Sequence, residues 1–299
     1  MLYFNRRVAS VRCDRMTNDV QTANAFASSW NNLPAGSIYT RAQVEDWFAP
    51  ITEKEVRGKR VLELGCGNAS LMLHLAAWQP AFLEGIDLGR SVVSAEHNMR
   101  QTGFDTYKIT QADLTTVRDS DADLVYSIGV LHHLHDPEAG FQAVVANVKP
   151  GGQFHCWVYA KEGNGIVRCA VDPLRRFCSR LPWWLTKYFV ATPLAVPFYV
   201  YAKTLRLLRQ ARWLRRVPLR DYCLWIAQRE FAFFRHVAFD QLVTPQTTYL
   251  DRSTIARWLN HPKILPGSTY IIFRNSNSWK FGGRVRTNIA IVEPIPSIR

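Results

Sequence analysis

The chain has 299 residues, 47% of them apolar, enough for a packed interior arranged as one large domain or as a core with an elaboration. Its 37 basic and 24 acidic residues leave a formal charge of +13, which favours an acidic partner. The six cysteines form no Cys-x-x-Cys pair and no Cys/His metal spacing, so composition sets aside a disulfide framework and a metal centre, and a cytoplasmic location is expected.

Residues 1–15 are arginine-rich and unpatterned and read as an extension, with Met16 an alternative start and a transit peptide a further compositional reading. No continuous apolar stretch there marks a secretory signal. Asn24 to Trp30 is aromatic at helical spacing, and Thr40-Arg41-Ala42-Gln43 is a capping-box pattern that opens a helix through Phe48. Val61-Leu62-Glu63-Leu64 is an apolar run that breaks at Gly65-Cys66-Gly67-Asn68-Ala69-Ser70 into an amphipathic stretch, Leu71 to Trp78, which predicts a strand, a tight loop and a helix start. Glycine at 65 and 67 lets the backbone turn sharply and lets a ligand approach main-chain N–H groups.

Phe82 to Asp87 predicts a second strand and places Asp87 about 20 residues after Gly67, the spacing at which a nucleotide-binding α/β unit offers a carboxylate to ribose hydroxyls. Tyr107 to Leu114 supplies a third strand with Asp113 at its tip, and Asp121 to His133 a fourth that runs into a loop. Asp136-Pro137-Glu138 joins a cap acid to a first-turn proline and acid, so a helix begins there; it ends at Lys149-Pro150-Gly151-Gly152, and Phe154 to Tyr159 is a fifth strand.

These motifs, over residues 57–160, resemble the class I S-adenosylmethionine-dependent methyltransferases, in the small-molecule group that includes quinone-biosynthesis enzymes. Glu63, Gly65 and Gly67 match that family's first motif, Asp87 its ribose-binding acid, Asp113 the acid near the adenine, and Leu131-His132-His133 a histidine-containing segment after the fourth strand. The family's frequent third glycine is Ala69 here, and the rival dinucleotide fingerprint Gly-x-Gly-x-x-Gly is broken by Ser70. The resemblance implies S-adenosyl-L-methionine as cofactor and S-adenosyl-L-homocysteine as product. It implies cofactor contacts from Glu63, Gly65, Cys66, Gly67, Asn68 and Asp87, and from Leu88, Asp113, Leu114, Ile128 and Gly129. It also implies an N-terminal segment folded over the cofactor, with Tyr39, Arg41 and Trp30 as lid residues, packing of Trp30 and Trp47 being the alternative.

Roughly ninety residues, 161–250, follow the fifth strand before the remaining core arrives. From Lys161 to Arg220 there are 13 basic and 2 acidic residues, a net +11 of the chain's +13. The segment is also aromatic, with Pro182-Trp183-Trp184-Leu185, Tyr188-Phe189 and Phe198-Tyr199-Val200-Tyr201, followed by Arg206, Arg209, Arg212 and Arg216 at helical intervals with Leu205, Leu208 and Trp213 among them. That is the composition of a segment lying in a membrane interface, although aromatic packing of the insertion on the core stays open as an alternative. A bilayer-crossing helix is disfavoured, because Lys187, Pro193 and Pro197 leave only about 15 uncharged residues before Lys203 where about 20 are needed. RNA is the less favoured acidic partner, for want of an RNA-binding module pattern.

Phe239-Asp240-Gln241-Leu242 through Thr248-Tyr249 reads as an ordered loop returning to the active-site edge. Asp251-Arg252-Ser253 caps a helix to about Asn260, Ser268 to Arg274 alternates as a strand, Asn275 to Arg284 reads as a connecting loop, and Arg286 to Glu293 closes the sheet. The expected fold is therefore α/β, a Rossmann-like seven-stranded sheet, mostly parallel with the last strand antiparallel. A tail and helical lid (1–56) precede a core formed by 57–160 and 251–299, and a helical insertion (161–250) follows the fifth strand.

The expected function is methyl transfer from S-adenosylmethionine to a small or lipophilic acceptor, at the membrane surface if the insertion makes that contact. A tRNA-modifying methyltransferase and a catalytically silent protein of the same fold are the alternatives. An oxygen or carbon acceptor has a proton to lose, so His132 and His133 are candidate bases, with shaping of the cofactor pocket as their alternative role. Tyr39, Tyr159, Asp240 and Tyr249 are candidate acceptor contacts, Glu162 sits at the same strand mouth, His135 reads as a loop residue and His155 as buried on the fifth strand.

Overall fold

The computed structural model describes residues 19–27, 39–118, 120–210 and 217–287. Seven strands, β1 (Arg60–Leu64), β2 (Phe82–Asp87), β3 (Tyr107–Gln111), β4 (Ala122–Ile128), β5 (Val148–Tyr159), β6 (Tyr270–Arg274) and β7 (Ser278–Arg284), form one sheet in the order β3-β2-β1-β4-β5-β7-β6. β1 to β5 pair in parallel, and β7 runs antiparallel to both of its neighbours. The strand order reverses between β1 and β4, and in such sheets the ligand crevice lies beyond the carboxyl ends of the strands at that point.

Both faces of the sheet are covered, which is why β1 and β4 read as continuous apolar runs. Successive residues point to opposite faces. Leu62 and Val125 join Phe141, Trp258 and Phe281 in one core, while Val61 and Leu124 join Phe48, Met72, Leu75 and Met99 in the other. The first core is built by helices α5 (Pro137–Ala146) and α10 (Arg252–Leu259), whose Phe141 and Trp258 rings stack at 5.3 Å; the second by α1 (Arg41–Phe48), α3 (Met72–Ala76) and α4 (Val92–Arg100), with α2 (Glu53–Val56) leading into β1. The capping box at Thr40 and Gln43 forms as the sequence predicts, and Asp251 caps α10 by accepting from the Thr254 N–H at 2.9 Å. Between β5 and α10 lie α6 (Gly165–Cys178), a turn at Trp183–Leu185, a π-helical turn at Thr186–Ala191, α7 (Thr192–Leu207), α8 (Arg220–Ile226) and α9 (Phe231–Val243).

Three sequence expectations are corrected. The closing strand is Ser278–Arg284 and not Arg286 to Glu293, of which 288–293 lie outside the described residues. Asn275 and Ser276 both take positive φ (49° and 55°), and the Asn277 N–H donates to the Arg274 carbonyl at 3.2 Å, a hairpin turn of the primed type that leaves the Lys- and Gly-containing stretch free to pair. Asp240 lies inside α9 and not in a loop, because the run Phe231 to Val243 buries Phe234, Phe239 and Leu242 against α6 and α7. The basic stretch Lys203 to Arg216 is not one helix: α7 ends at Leu207, and Arg212, Trp213 and Arg216 lie outside the described residues, as do Trp30 and the 1–15 tail.

Helix α1 is joined to the last hairpin by charge. Arg274, with 5% of its side chain exposed, donates from Nε to Asp46 Oδ2 at 2.8 Å, and the equally buried Lys280 donates to the Asp46 carbonyl at 2.6 Å. Removing one partner of such a pair strands the other, so Arg274→Ala is expected to destabilise the fold by about 2 kcal/mol, at the low end for a buried pair because Asp46 is 40% exposed. Urea unfolding of the variant checks this, with Asp46→Ala as the partner arm.

Candidate active site

The loop after β1 turns as its glycines require. Gly65 has φ +90°, and a Cβ there would lie 2.4 Å from Val130 Cγ2, so close packing against the β4 loop excludes any larger residue. Gly67 has φ +54°, and its Cβ would meet nothing within 4 Å, leaving the main chain facing open space. Ala69 also takes positive φ (65°) while fully buried, so the position where the family often has glycine keeps the glycine conformation at a cost of about 1 kcal/mol. Asp87 ties this loop to the end of β2: Oδ2 accepts from the Gly67 N–H at 2.9 Å, and Oδ1 accepts from the Gly89 N–H at 2.7 Å and the Ser91 hydroxyl at 3.2 Å. Burial raises its carboxyl, and the donated N–H groups oppose that shift.

Glu63 is 2% exposed and accepts from the Tyr126 hydroxyl at 2.8 Å. Burial pushes its carboxyl up to about 8, the Tyr126 bond working the other way. A carboxyl whose folded value exceeds its unfolded one, near 4.5, contributes stability that is complete below about 4.5 and is lost as pH rises through about 8. Glu63→Gln should therefore change the ligand-free protein little near pH 5 and stabilise it relative to wild type by at least ~1 kcal/mol near pH 9; paired melting curves across that range check the sign.

The other predicted cofactor residues divide by location. Asn68 is 2% exposed, its Oδ1 taking the Ser70 N–H at 3.2 Å and hydroxyl at 2.7 Å; Cys66 and Leu114 are buried in the two cores. Asp113 caps a 3-10 turn, accepting from the Thr115 N–H at 2.8 Å and hydroxyl at 2.7 Å, and the Leu88 carbonyl accepts from Gln111. Gly65, Gly67 and Asp87 thus meet at one crevice, while Ile128 and Gly129 face the space beside it. Glycine conformation, open space at Gly67 and a carboxylate at its N–H fit the ribose and methionine portions of S-adenosylmethionine.

That space is a cavity of about 440 Å³ beyond the carboxyl ends of β4 and β5, roofed by α6, α7, α8 and α9. Its walls are aromatic, with Tyr39, Trp47, Trp157, Phe198, Tyr222 and Trp225 contributing rings. All four predicted acceptor residues line it: Tyr39, Tyr159, Asp240 and Tyr249. Tyr159 accepts from Gln241 Nε2 at 2.7 Å, and burial raises its phenol. Tyr249 stacks on Tyr159 with 6.1 Å between centroids. Asp240 is the only carboxylate among the described lining residues, and one turn away on α9 His236 places Nε2 3.1 Å from its Oδ2. Sequence reading missed His236, for which the i, i+4 spacing to Asp240 was the available signal.

The two histidines after β4 separate. His133 lines the cavity, and its Nδ1 lies 3.0 Å from the Gln246 carbonyl and 3.1 Å from the Thr247 hydroxyl; burial lowers it to about 4, so the ring is neutral near pH 7 with Nδ1 the donor to Gln246. His132 is fully buried, outside the cavity wall, packed with tilted rings between His133 and Tyr159 at 4.1 and 4.2 Å, and burial holds it far below the ordinary histidine value. Glu162 accepts from the Arg252 N–H and Trp279 Nε1, away from the cavity, and His155 is buried between Tyr270 and the Trp47 carbonyl. Residues 19–27 form a helix that crosses the crevice: the His135 N–H donates to Asp19 at 2.8 Å, Phe26 lines the cavity against His133, and the Ala23 carbonyl would lie 2.9 Å from a Cβ on Gly89. Among the described residues no group of His, Cys, Asp and Glu is arranged to hold a metal ion.

Comparison with known proteins adds a family. A model described as "Methyltransferase domain" matches residues 38–232. The chain is 32% identical over 99 residues to a ubiquinone biosynthesis O-methyltransferase of Pseudomonas entomophila (strain L48), covering 32% of this chain and 42% of that one. It is 28% identical over 132 residues to the same-named enzyme of Coxiella burnetii (strain Dugway 5J108-111), covering 43% and 56%. This chain thus spans about half or less of the length of those relatives. Among solved structures, magnesium protoporphyrin IX methyltransferase from Synechocystis PCC 6803 with bound SAH aligns over 82% of each chain at 14% identity and a TM-score of 0.46.

Proposed function

Since this chain belongs to the methyltransferase-domain family, we propose that it transfers the methyl group of S-adenosylmethionine to a small, largely apolar acceptor held in the aromatic cavity. One observation carries the reading: Ile128 and Gly129 line the cavity, and the next residue, Val130, packs on Gly65, so one strand end joins the acceptor space to the glycine loop. The cofactor supplies a methyl already activated on a sulfonium. Gly65, Gly67 and Asp87 hold it, and the remaining task is to bring the acceptor atom into line, which can contribute several kcal/mol.

This chain's residues are equipped for that task. The rings of Trp47, Trp157 and Trp225 take up an apolar body and exclude water, while Asp240, with His236 beside it, accepts the proton of an acceptor hydroxyl. His133, neutral near pH 7, shapes the wall between them. The relatives are named for O-methylation in ubiquinone biosynthesis, and an oxygen acceptor suits Asp240.

Calorimetry with S-adenosylhomocysteine, followed by turnover of methyl-labelled donor over a panel of lipophilic phenols, enols and amines, tests the proposal. Tight product binding with labelled phenol is the expected result. Absence of any binding would end it, and binding with no turnover on any acceptor would favour a silent relative of the fold.

A further inference from the structure

The insertion presents to solvent what a lone globular chain ordinarily hides. Of the 16 large apolar side chains exposed among the described residues, 11 fall between Phe177 and Leu208, so the exposed apolar surface is concentrated in one part of the insertion. Trp184 is 49% exposed, Tyr188 50%, Phe189 67% and Leu207 83%. Residues 173–220 contain eleven Lys and Arg and no Asp or Glu, and Arg176, Arg180 and Arg209 are exposed beside the apolar side chains.

Charge and chemistry choose the occupant. A second copy would set like charges against each other on a chain of net +13. RNA would stack on Trp184 and Tyr188 but has no use for Leu194, Val196, Val200 and Leu207, which are aliphatic and exposed. An anionic lipid surface uses both, with aromatic and aliphatic groups at the acyl boundary and arginines at the headgroups. No helix among the described residues is long and apolar enough to cross a membrane, so a lipid contact of this segment would be interfacial. Leu194 belongs at once to this exposed face and to the cavity wall.

We propose that the face from Phe177 to Leu208 docks on an anionic lipid surface and that a lipid-dissolved acceptor enters the cavity past Leu194. The entry step rests on the methyl-transfer reading above; the docking step does not.

Flotation of the full chain with phosphatidylcholine vesicles, with and without roughly one third phosphatidylglycerol, tests it. Binding is expected with the anionic vesicles, falling as salt is raised. Trp184→Ser with Phe189→Ser should lower the bound fraction about ten-fold, and Arg176→Glu with Arg180→Glu should abolish the preference for anionic lipid. Leu207→Ser serves as a second apolar variant should the first lose its fold, and calorimetry with S-adenosylhomocysteine on the same preparations separates failed docking from a failed cofactor site. Equal flotation of wild type and folded apolar variants would overturn the proposal. So would a dimer in light scattering that these variants dissolve, or release from vesicles by single-stranded RNA competing for the same face.

Discussion

Asp87→Ala should lower affinity for S-adenosylhomocysteine by about two orders of magnitude, equivalent to ~3 kcal/mol. The carboxylate stands at the end of β2, where its oxygens already accept from Gly67, Gly89 and Ser91 and retain lone pairs for a ribose diol. Hydrogen bonds to a charged acceptor contribute ~1.5–3 kcal/mol each, and alanine removes those to the ligand together with those that set the loop. The two contributions separate chemically. Wild type should bind a 2′,3′-dideoxy analogue far more weakly than the parent, whereas Asp87→Ala should scarcely distinguish the two. Equal discrimination by both proteins in calorimetry would take Asp87 off the ribose and leave it a loop tie. Asp87→Asn, which keeps one acceptor for the Gly67 or Gly89 N–H, should fall between them. Because burial raises this carboxyl, affinity should also decline on acidification sooner than for an exposed aspartate.

The parts of this architecture legible in the sequence are those whose causes are local. An apolar run ending in Gly-x-Gly, an acid at a strand tip and a capping box each act within a few residues, and β1, β2, α1 and the cap of α10 stand where those signals put them. What stayed hidden depends on distant contacts. Lys280 looks like a loop residue until Asp46, on a helix far upstream, supplies its partner, and only then can Ser278 to Arg284 be the closing strand. The aromatics of the insertion share one composition but two fates. Phe198, Tyr222, Trp225 and Phe233 turn toward the cavity and Trp184, Tyr188 and Phe189 toward solvent, a division set by how α7, α8 and α9 pack. Asp240 reads from sequence as an acceptor contact on a loop, whereas its position depends on a helix that carries it one turn from His236, and that helix forms only through packing on α6 and α7.

Asp240→Ala should reduce kcat/KM for a hydroxyl acceptor about a hundred-fold while leaving S-adenosylhomocysteine affinity unchanged. Of the groups that could take a proton within the cavity, most are unsuited. Burial drives the phenols of Tyr39, Tyr159 and Tyr222 upward and lowers His133 to about 4. Arg274, on the same wall, is engaged by Asp46. Asp240 and His236 remain, with Oδ2 3.1 Å from Nε2 and both carried by one helix, and of the two only Asp240 is a carboxylate. His236→Ala should act through Asp240, so its cost is expected to be smaller, about ten-fold, and to appear in kcat with KM little changed. Asp240→Asn retains shape and loses the acceptor of the proton, so it should resemble alanine in kcat and wild type in KM. If Asp240→Ala keeps kcat/KM within about two-fold of wild type, the carboxylate is a bystander and the aromatic walls alone position the acceptor. A methyl acceptor that reaches the cavity already ionised would give that outcome even with correct binding. Repeating the measurement with phenols of graded acidity resolves the point, because dependence on Asp240 must grow as the phenol becomes harder to deprotonate.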